Sequence, residues 1–167
     1  MSGAKEAIVM GMETFTGSVL HTIDPKGRIF IPANYREALG NSFTICLNND
    51  LRTIALYPKE RWDEKCRELR MIPDADRRGR NYVRYILKHA YTDMSLDSQG
   101  RILIPSDLRQ DFLKESKEGR FIGVGDYLEL WNPDSYNGLE MEENELIDGT
   151  LDYIYQTYFR VKANADA

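Results

Sequence analysis

The sequence predicts an α+β, β-rich fold built from two pseudo-symmetric repeats with flanking helices. Three observations carry that prediction. Residues 24–36 recur as residues 97–109, with seven of the thirteen positions identical at an offset of 73. Each copy couples turn-forming residues to an alternating apolar segment, as a hairpin requires. The 167 residues, 42% of them hydrophobic, suffice for one core shared by two small halves.

The recurring segment explains its own local structure. Asp24-Pro25-Lys26-Gly27 places Asp first, Pro second and Gly fourth, the preferences of a type I turn. Asp97-Ser98-Gln99-Gly100 meets two of those preferences. Gly27 and Gly100 supply the positive φ of a bulge that ends the turn. Ile29 and Ile31 then alternate with Arg28 and Phe30 as strand residues. Pro32 and Pro105 suit the first turn of a short helix, and Gly40 suits the end of the first one. Further on, Ile54-Ala55-Leu56-Tyr57 answers Leu128-Glu129-Leu130-Trp131, and Trp62 answers Tyr136, at an offset of 74. These aromatics, falling at matching positions beside apolar strands, are expected in the core.

Between the halves the spacing is helical. Trp62, Cys66 and Leu69 stand at i, i+4 and i+7, and Ile72-Pro73 interrupts. Asp74 is the expected cap of a second helix, with Tyr82, Val83, Ile86, Leu87 and Ala90 on its apolar face. Arg77, Arg80, Arg84 and Lys88 lie opposite. The expected organisation is an N-terminal disordered extension at 1–12, a first repeat at 13–72, a connecting helix with the second repeat at 73–137, and an acidic linker with an amphipathic helix at 138–167. In that last segment Glu140, Glu142, Glu143, Glu145 and Asp148 crowd together, and Leu151, Ile154, Tyr155 and Tyr158 follow at helical spacing.

Composition narrows the function. Apolar runs are far shorter than the ~18 residues needed to cross a bilayer, so no membrane partner is expected. Cys46 and Cys66, with His21 and His89, form no metal-ligand spacing, and a reducing cytoplasm is the expected setting. Neither a metal nor another cofactor is expected. The net charge of −5 is unevenly spread. From Asp134 onward there are 8 acidic and 2 basic residues; subtracting these from 27 and 22 leaves 19 and 20, a balance of +1. A nucleic-acid partner is therefore compatible with the body of the chain.

Arg28 and Arg101 follow the two turns at equivalent places. An arginine fork pairs bidentately with guanine or phosphate; the alternative is an ion pair with the nearby Asp that only holds the turn. Asp24 and Asp97 repel phosphate, so their expected role is to cap the turns and orient the arginines. Lys26 suits a phosphate and Gln99 a base edge, with Ser98 beside it. Arg36 and Arg109, on the short helices, and Arg77, Arg80 and Arg84 are candidate DNA-flank or oligomer contacts, with a solvated helix face as the plain alternative.

Phe15-Thr16-Gly17, His21-Thr22-Ile23-Asp24-Pro25-Lys26-Gly27-Arg28 and Ile31-Pro32-Ala33 resemble the first half of the MraZ family. Leu56-Tyr57-Pro58 with Trp62, Arg77-Arg78 and the segment from Asp97 to Pro105 continue the resemblance over roughly residues 13–136. It implies a double-split, AbrB-like β-barrel in which swapped hairpins interlock. It also implies a ring-shaped homo-oligomer, with an octamer as the candidate size. The implied activity is transcriptional regulation: usually repression of the division and cell-wall gene cluster, by binding short direct repeats in double-stranded DNA through the Asp24–Arg28 and Asp97–Arg101 segments. The protein would be cytoplasmic and nucleoid-associated. Asn34 departs from the basic residue of many relatives, and the acidic tail is longer than the family pattern.

Two other classes compete. The acidic tail motivates a protein-interaction scaffold of the same fold that has lost DNA binding. Paired Asp residues from two halves suggest an aspartic-dyad hydrolase, but each Asp has an Arg four residues on, which keeps both ionised. No catalytic residue is assigned.

Overall fold

The computed structural model describes residues 15–159, apart from the side chains of 143–148. The expected extension at 1–12 lies outside the described residues. The chain divides into two compact units, Met1–Pro133 and Asp134–Ala167.

In the first unit the order is β1 (Ser18–Thr22), β2 (Arg28–Phe30), α1 (Ala33–Leu39), β3 (Phe43–Leu47), β4 (Ile54–Pro58), α2 (Lys59–Arg70), α3 (Arg77–Lys88), β5 (Tyr91–Met94), β6 (Arg101–Leu103), α4 (Ser106–Asp111), β7 (Glu118–Gly123) and β8 (Leu128–Trp131). The fold is α+β. Six strands form an antiparallel sheet in the order β1-β7-β8-β4-β3-β5, and β2 and β6 form a separate two-stranded ribbon. The six-stranded sheet is open, with β1 and β5 at its edges.

The duplication is visible in this topology. Where β4 meets β8, Ile54 opposes Leu130 and Leu56 opposes Leu128, so equivalent residues exchange partners about a local twofold axis. In the ribbon Ile29 opposes its own equivalent, Ile102. The strands are also exchanged: β1 of the first repeat pairs with β7 of the second, and β5 of the second pairs with β3 of the first. Neither repeat can complete its share of the sheet alone.

Alternation along the strands divides the core. Phe43, Ile45, Leu47, Ile54 and Leu56 face the main cluster, with Ile29, Ile31, Tyr35, Leu39, Ile102, Ile104, Leu108, Phe121, Leu128 and Leu130. Cys46, Ala55 and Tyr57 point the other way, against Trp62, Leu69, Val83 and Ile86 from α2 and α3. β3 and β4 are thus buried on both faces, which explains their near-continuous apolar sequence. Tyr57, Trp62 and Trp131 are buried as expected, and Tyr136 is half-buried.

Several local expectations change. Pro32 and Pro105 are the residues just before α1 and α4, extended at ψ 140 and 137, and not part of the first turn. The cap of α3 is Asp76, whose carboxylate accepts from the Gly79 N–H; Asp74 instead lies 3.1 Å from Arg80 Nη1. On α3, Val83 and Ile86 are buried but Tyr82 and Leu87 are exposed, because a helix lying on a sheet buries only a narrow stripe. In the second unit, the acidic stretch expected as a linker is helical, within α5 (Pro133–Ile154). Glu is a good helix former, and an exposed helix tolerates one sign of charge. A π-helical turn, Tyr155–Phe159, follows. Leu151, Tyr155 and Tyr158 are exposed in this unit, so their helical spacing serves no core there.

Candidate nucleic-acid interface

The two repeated turns are built alike, atom for atom. In the first, the Gly27 N–H donates to the Asp24 carbonyl at 2.9 Å, and the Asp24 N–H to the Arg28 carbonyl at 2.9 Å. In the second, Gly100 donates to Asp97 at 3.0 Å and Asp97 to Arg101 at 2.8 Å. Gly27 at φ 85 and Gly100 at φ 79 provide the left-handed residue that a type I turn with a following bulge needs.

The carboxylates fix the arginines. Asp24 Oδ1 accepts from the Lys26 and Arg28 backbone N–H groups at 3.0 and 2.8 Å, and its Oδ2 accepts from Arg28 Nε at 2.7 Å. Asp97 repeats this with Gln99 and Arg101 at 2.9 Å each, and with Arg101 Nε at 2.8 Å. The backbone N–H of the following arginine is the leading cause that holds each carboxyl below the usual carboxylate range. A dyad sharing one proton needs one carboxyl raised, so this geometry opposes the hydrolase reading. Each Asp takes the inner nitrogen of its arginine, and the Arg28 and Arg101 side chains stay 32% and 19% exposed, so the intramolecular ion pair coexists with partial access to both.

The ribbon sets the two turns at its opposite ends and places Arg28 and Arg101 on one face. Arg28 opposes Leu103 and Phe30 opposes Arg101. Beyond the ribbon the Ile31 N–H donates to the Gly100 carbonyl at 3.0 Å, and the Ile104 N–H to the Gly27 carbonyl at 2.9 Å. Each repeat's strand is thereby tied to the other repeat's turn. Arg101 Nη1 also lies 4.0 Å from Asp24, and its guanidinium 5.8 Å from the Phe30 ring centre. Lys26, Ser98 and Gln99 are exposed at the turn tips.

Arg36 and Arg109 occupy a position the sequence did not reveal. Arg36 donates from Nε to the Ile31 carbonyl at 2.7 Å, and its guanidinium covers Gly100 of the opposite repeat. Arg109 covers Gly27 in the same exchanged manner. Both brace the turns from behind. Only their recurrence at one place in each repeat hinted at a shared role. Arg80 is engaged within the fold, donating from Nη2 to the Ile72 carbonyl at 2.9 Å. Arg77 and Arg84 are exposed on α3, and Arg84 donates to Asn81 at 2.9 Å. Among the described residues no three His, Cys, Asp or Glu side chains converge on a metal site, and both cysteines are free thiols. No described helix is long and apolar enough to cross a membrane.

A duplicated chain with exchanged strands and a ribbon carrying two Asp-braced arginine turns defines a class of small β-rich, two-repeat proteins. Comparison with known proteins makes the assignment specific. The family model described as "MraZ protein, putative antitoxin-like" matches residues 14–82 and again 86–151. The chain is 38% identical over 118 residues to a protein of Desulfitobacterium hafniense named transcriptional regulator MraZ, covering 71% of this chain and 80% of that one. Proteins of the same name from Moorella thermoacetica and Lactiplantibacillus plantarum are 40% identical over 118 residues and 36% over 143. The former match covers 71% of this chain and 80% of the relative, the latter 83% and 99%. The chain belongs to the MraZ family.

Proposed function

We propose that this chain is a DNA-binding transcriptional regulator whose recognition element is the β2·β6 ribbon with its two turns. The observation that carries the proposal is the equivalent placement of Arg28 and Arg101 on one face, each with its inner nitrogen held by an Asp. A two-stranded ribbon fits the major groove, and a pre-oriented guanidinium loses little freedom on pairing with guanine or phosphate. Lys26 serves a phosphate, while Gln99 and Ser98 serve base edges or phosphate oxygens. Arg36 and Arg109 support the turns. Arg77 and Arg84, exposed on α3, are the candidate flank or oligomer contacts.

The finer reading follows the family. The two edge strands β1 and β5 run through the turns into the ribbon, which we read as closing a double-split, AbrB-like barrel. A body of charge near +1 offers few phosphate contacts per chain, so affinity comes from several subunits of a ring acting on repeated sites. The targets on this reading are short direct repeats before the division and cell-wall gene cluster, which the protein represses in the cytoplasm at the nucleoid.

The test is a titration of a duplex carrying several candidate repeats, at several salt concentrations, with wild type, Arg28→Ala and Arg101→Ala. Each substitution should weaken binding and flatten the salt slope. A folded double variant that binds as wild type does would remove the ribbon from the interface. No binding by wild type at low salt would leave the scaffold reading in its place.

A further inference from the structure

We infer that Phe30 and Leu103 read thymine methyl groups, which makes recognition by the ribbon partly apolar. This inference rests on the DNA-binding reading above and deepens it. Ile29 and Ile102 are buried on the inner face of the ribbon. Alternation sends Arg28, Phe30, Arg101 and Leu103 to the outer face. Because Arg28 opposes Leu103 and Phe30 opposes Arg101, cationic and apolar side chains alternate both along and across the two strands. Phe30 is 40% exposed and Leu103 is 56% exposed.

The offset of 73 makes these two positions equivalent, so the fold presents a large apolar side chain to solvent twice at the same place. Recurrence at equivalent places beside the arginines, and not exposure alone, sets these two apart from other exposed apolar side chains such as Leu20 and Leu87. Guanidinium groups on either side select a polyanion over an apolar protein surface. What the major groove offers an apolar side chain is the C5-methyl of thymine. Phe30 is also held in position: Arg101 lies against its ring on one side, and the His21 ring centre is 6.3 Å away. Leu103 has Arg28 as its cross-strand neighbour. Phe30 is therefore the more rigid reader of the two.

The full chain is used to select duplexes from a randomised pool, and each thymine of the selected site is then replaced in turn by uracil, which removes only the methyl group. Wild type should bind about fourfold more weakly for each methyl that is buried on binding. Phe30→Ala should be indifferent to uracil at one position and Leu103→Ala at another, while Phe30→Leu should keep most of the sensitivity. Thermal unfolding of each variant verifies the fold, which half-exposed positions should leave intact. Wild-type indifference to every replacement, or full sensitivity retained by both alanine variants, overturns the inference while the DNA-binding reading stands. A pool that yields no enriched duplex overturns both.

Discussion

The exchanged bracing of the turns predicts a coupling between residues of different repeats. Consider Gly100→Ala. An added Cβ would lie 2.4 Å from Arg36 Cζ and 2.6 Å from Nη2, at a backbone φ of +79. The left-handed conformation costs an L side chain about 1–2 kcal/mol, of which reduced freedom in the unfolded chain offsets about 0.4–1 kcal/mol. The guanidinium, the flexible end of its side chain, must move away. It then gives up the 2.7 Å bond to the Ile31 carbonyl, worth about 1 kcal/mol net. The expected total is about 2 kcal/mol, the sum of these two contributions. In an Arg36→Ala background the second contribution is already gone, so Gly100→Ala should cost only about 1 kcal/mol. Urea unfolding at one fixed protein concentration measures this, since the self-assembly proposed above would make stability depend on concentration. The control is Arg109→Ala, which shares a repeat with Gly100 but covers Gly27. Its effect should add to that of Gly100→Ala within about 0.5 kcal/mol. Additivity with Arg36, or coupling with Arg109, would refute the exchanged arrangement.

Two further outcomes follow from titrating groups. Asp24 and Asp97 are held below their ordinary value of 3.8, chiefly by the backbone N–H of the arginine that follows each. A depressed folded pKa gives stability that is complete above the unfolded value and lost as pH falls through the folded one. Urea midpoints should therefore drop below pH 3.8 in wild type and drop less steeply in Asp24→Asn/Asp97→Asn; equal slopes would remove the carboxylates from the stability of the turns. Burial pushes the Cys46 thiol up to about 11. At pH 8 iodoacetamide should leave Cys46 unmodified in the native protein and label it after unfolding, as peptide mass mapping would show; rapid native labelling would contradict its place beneath α3.

What was legible in the sequence was what local chemistry determines. Asp-x-x-Gly-Arg closes its hydrogen bonds within five residues, so the turns and the Asp–Arg pairs could be read directly. The alternation that buries Ile29 and Ile102 was equally local. The exchange of strands was implied only by the family resemblance, because nothing in β1 itself distinguishes the β7 of the other repeat from a partner in its own. That β1 joins β7 is a property of the whole chain, and so is the pairing of β2 with β6 that sets the destinations of Arg36 and Arg109. For α3 the pattern was right and the width was wrong: the sheet covers Val83 and Ile86 but not Tyr82 or Leu87. The acidic run misled for another reason. Charge of one sign suggests a solvated segment but does not oppose a helix, as α5 demonstrates.

A symmetric backbone with unequal side chains has a direction. The paired bonds from Ile31 to Gly100 and from Ile104 to Gly27, at 3.0 and 2.9 Å, keep the ribbon near twofold symmetry. Yet one turn presents Pro25 and Lys26 where the other presents Ser98 and Gln99, and Phe30 stands where Leu103 does. If these residues meet DNA as proposed, a palindromic site would offer both halves the same groups, and one half would meet the wrong ones. Each mismatched base pair costs about 1–3 kcal/mol, so a site with polarity is favoured. Chains related by rotation around a ring would then meet sites repeated in one orientation, in agreement with the direct repeats proposed above. Removing the asymmetry tests this. In Pro25→Ser/Lys26→Gln/Phe30→Leu the first half carries the second half's side chains at all three places. Duplexes selected by that variant should be more nearly palindromic within the span of one chain than those selected by wild type. An equally asymmetric selected site would place the source of polarity outside the ribbon.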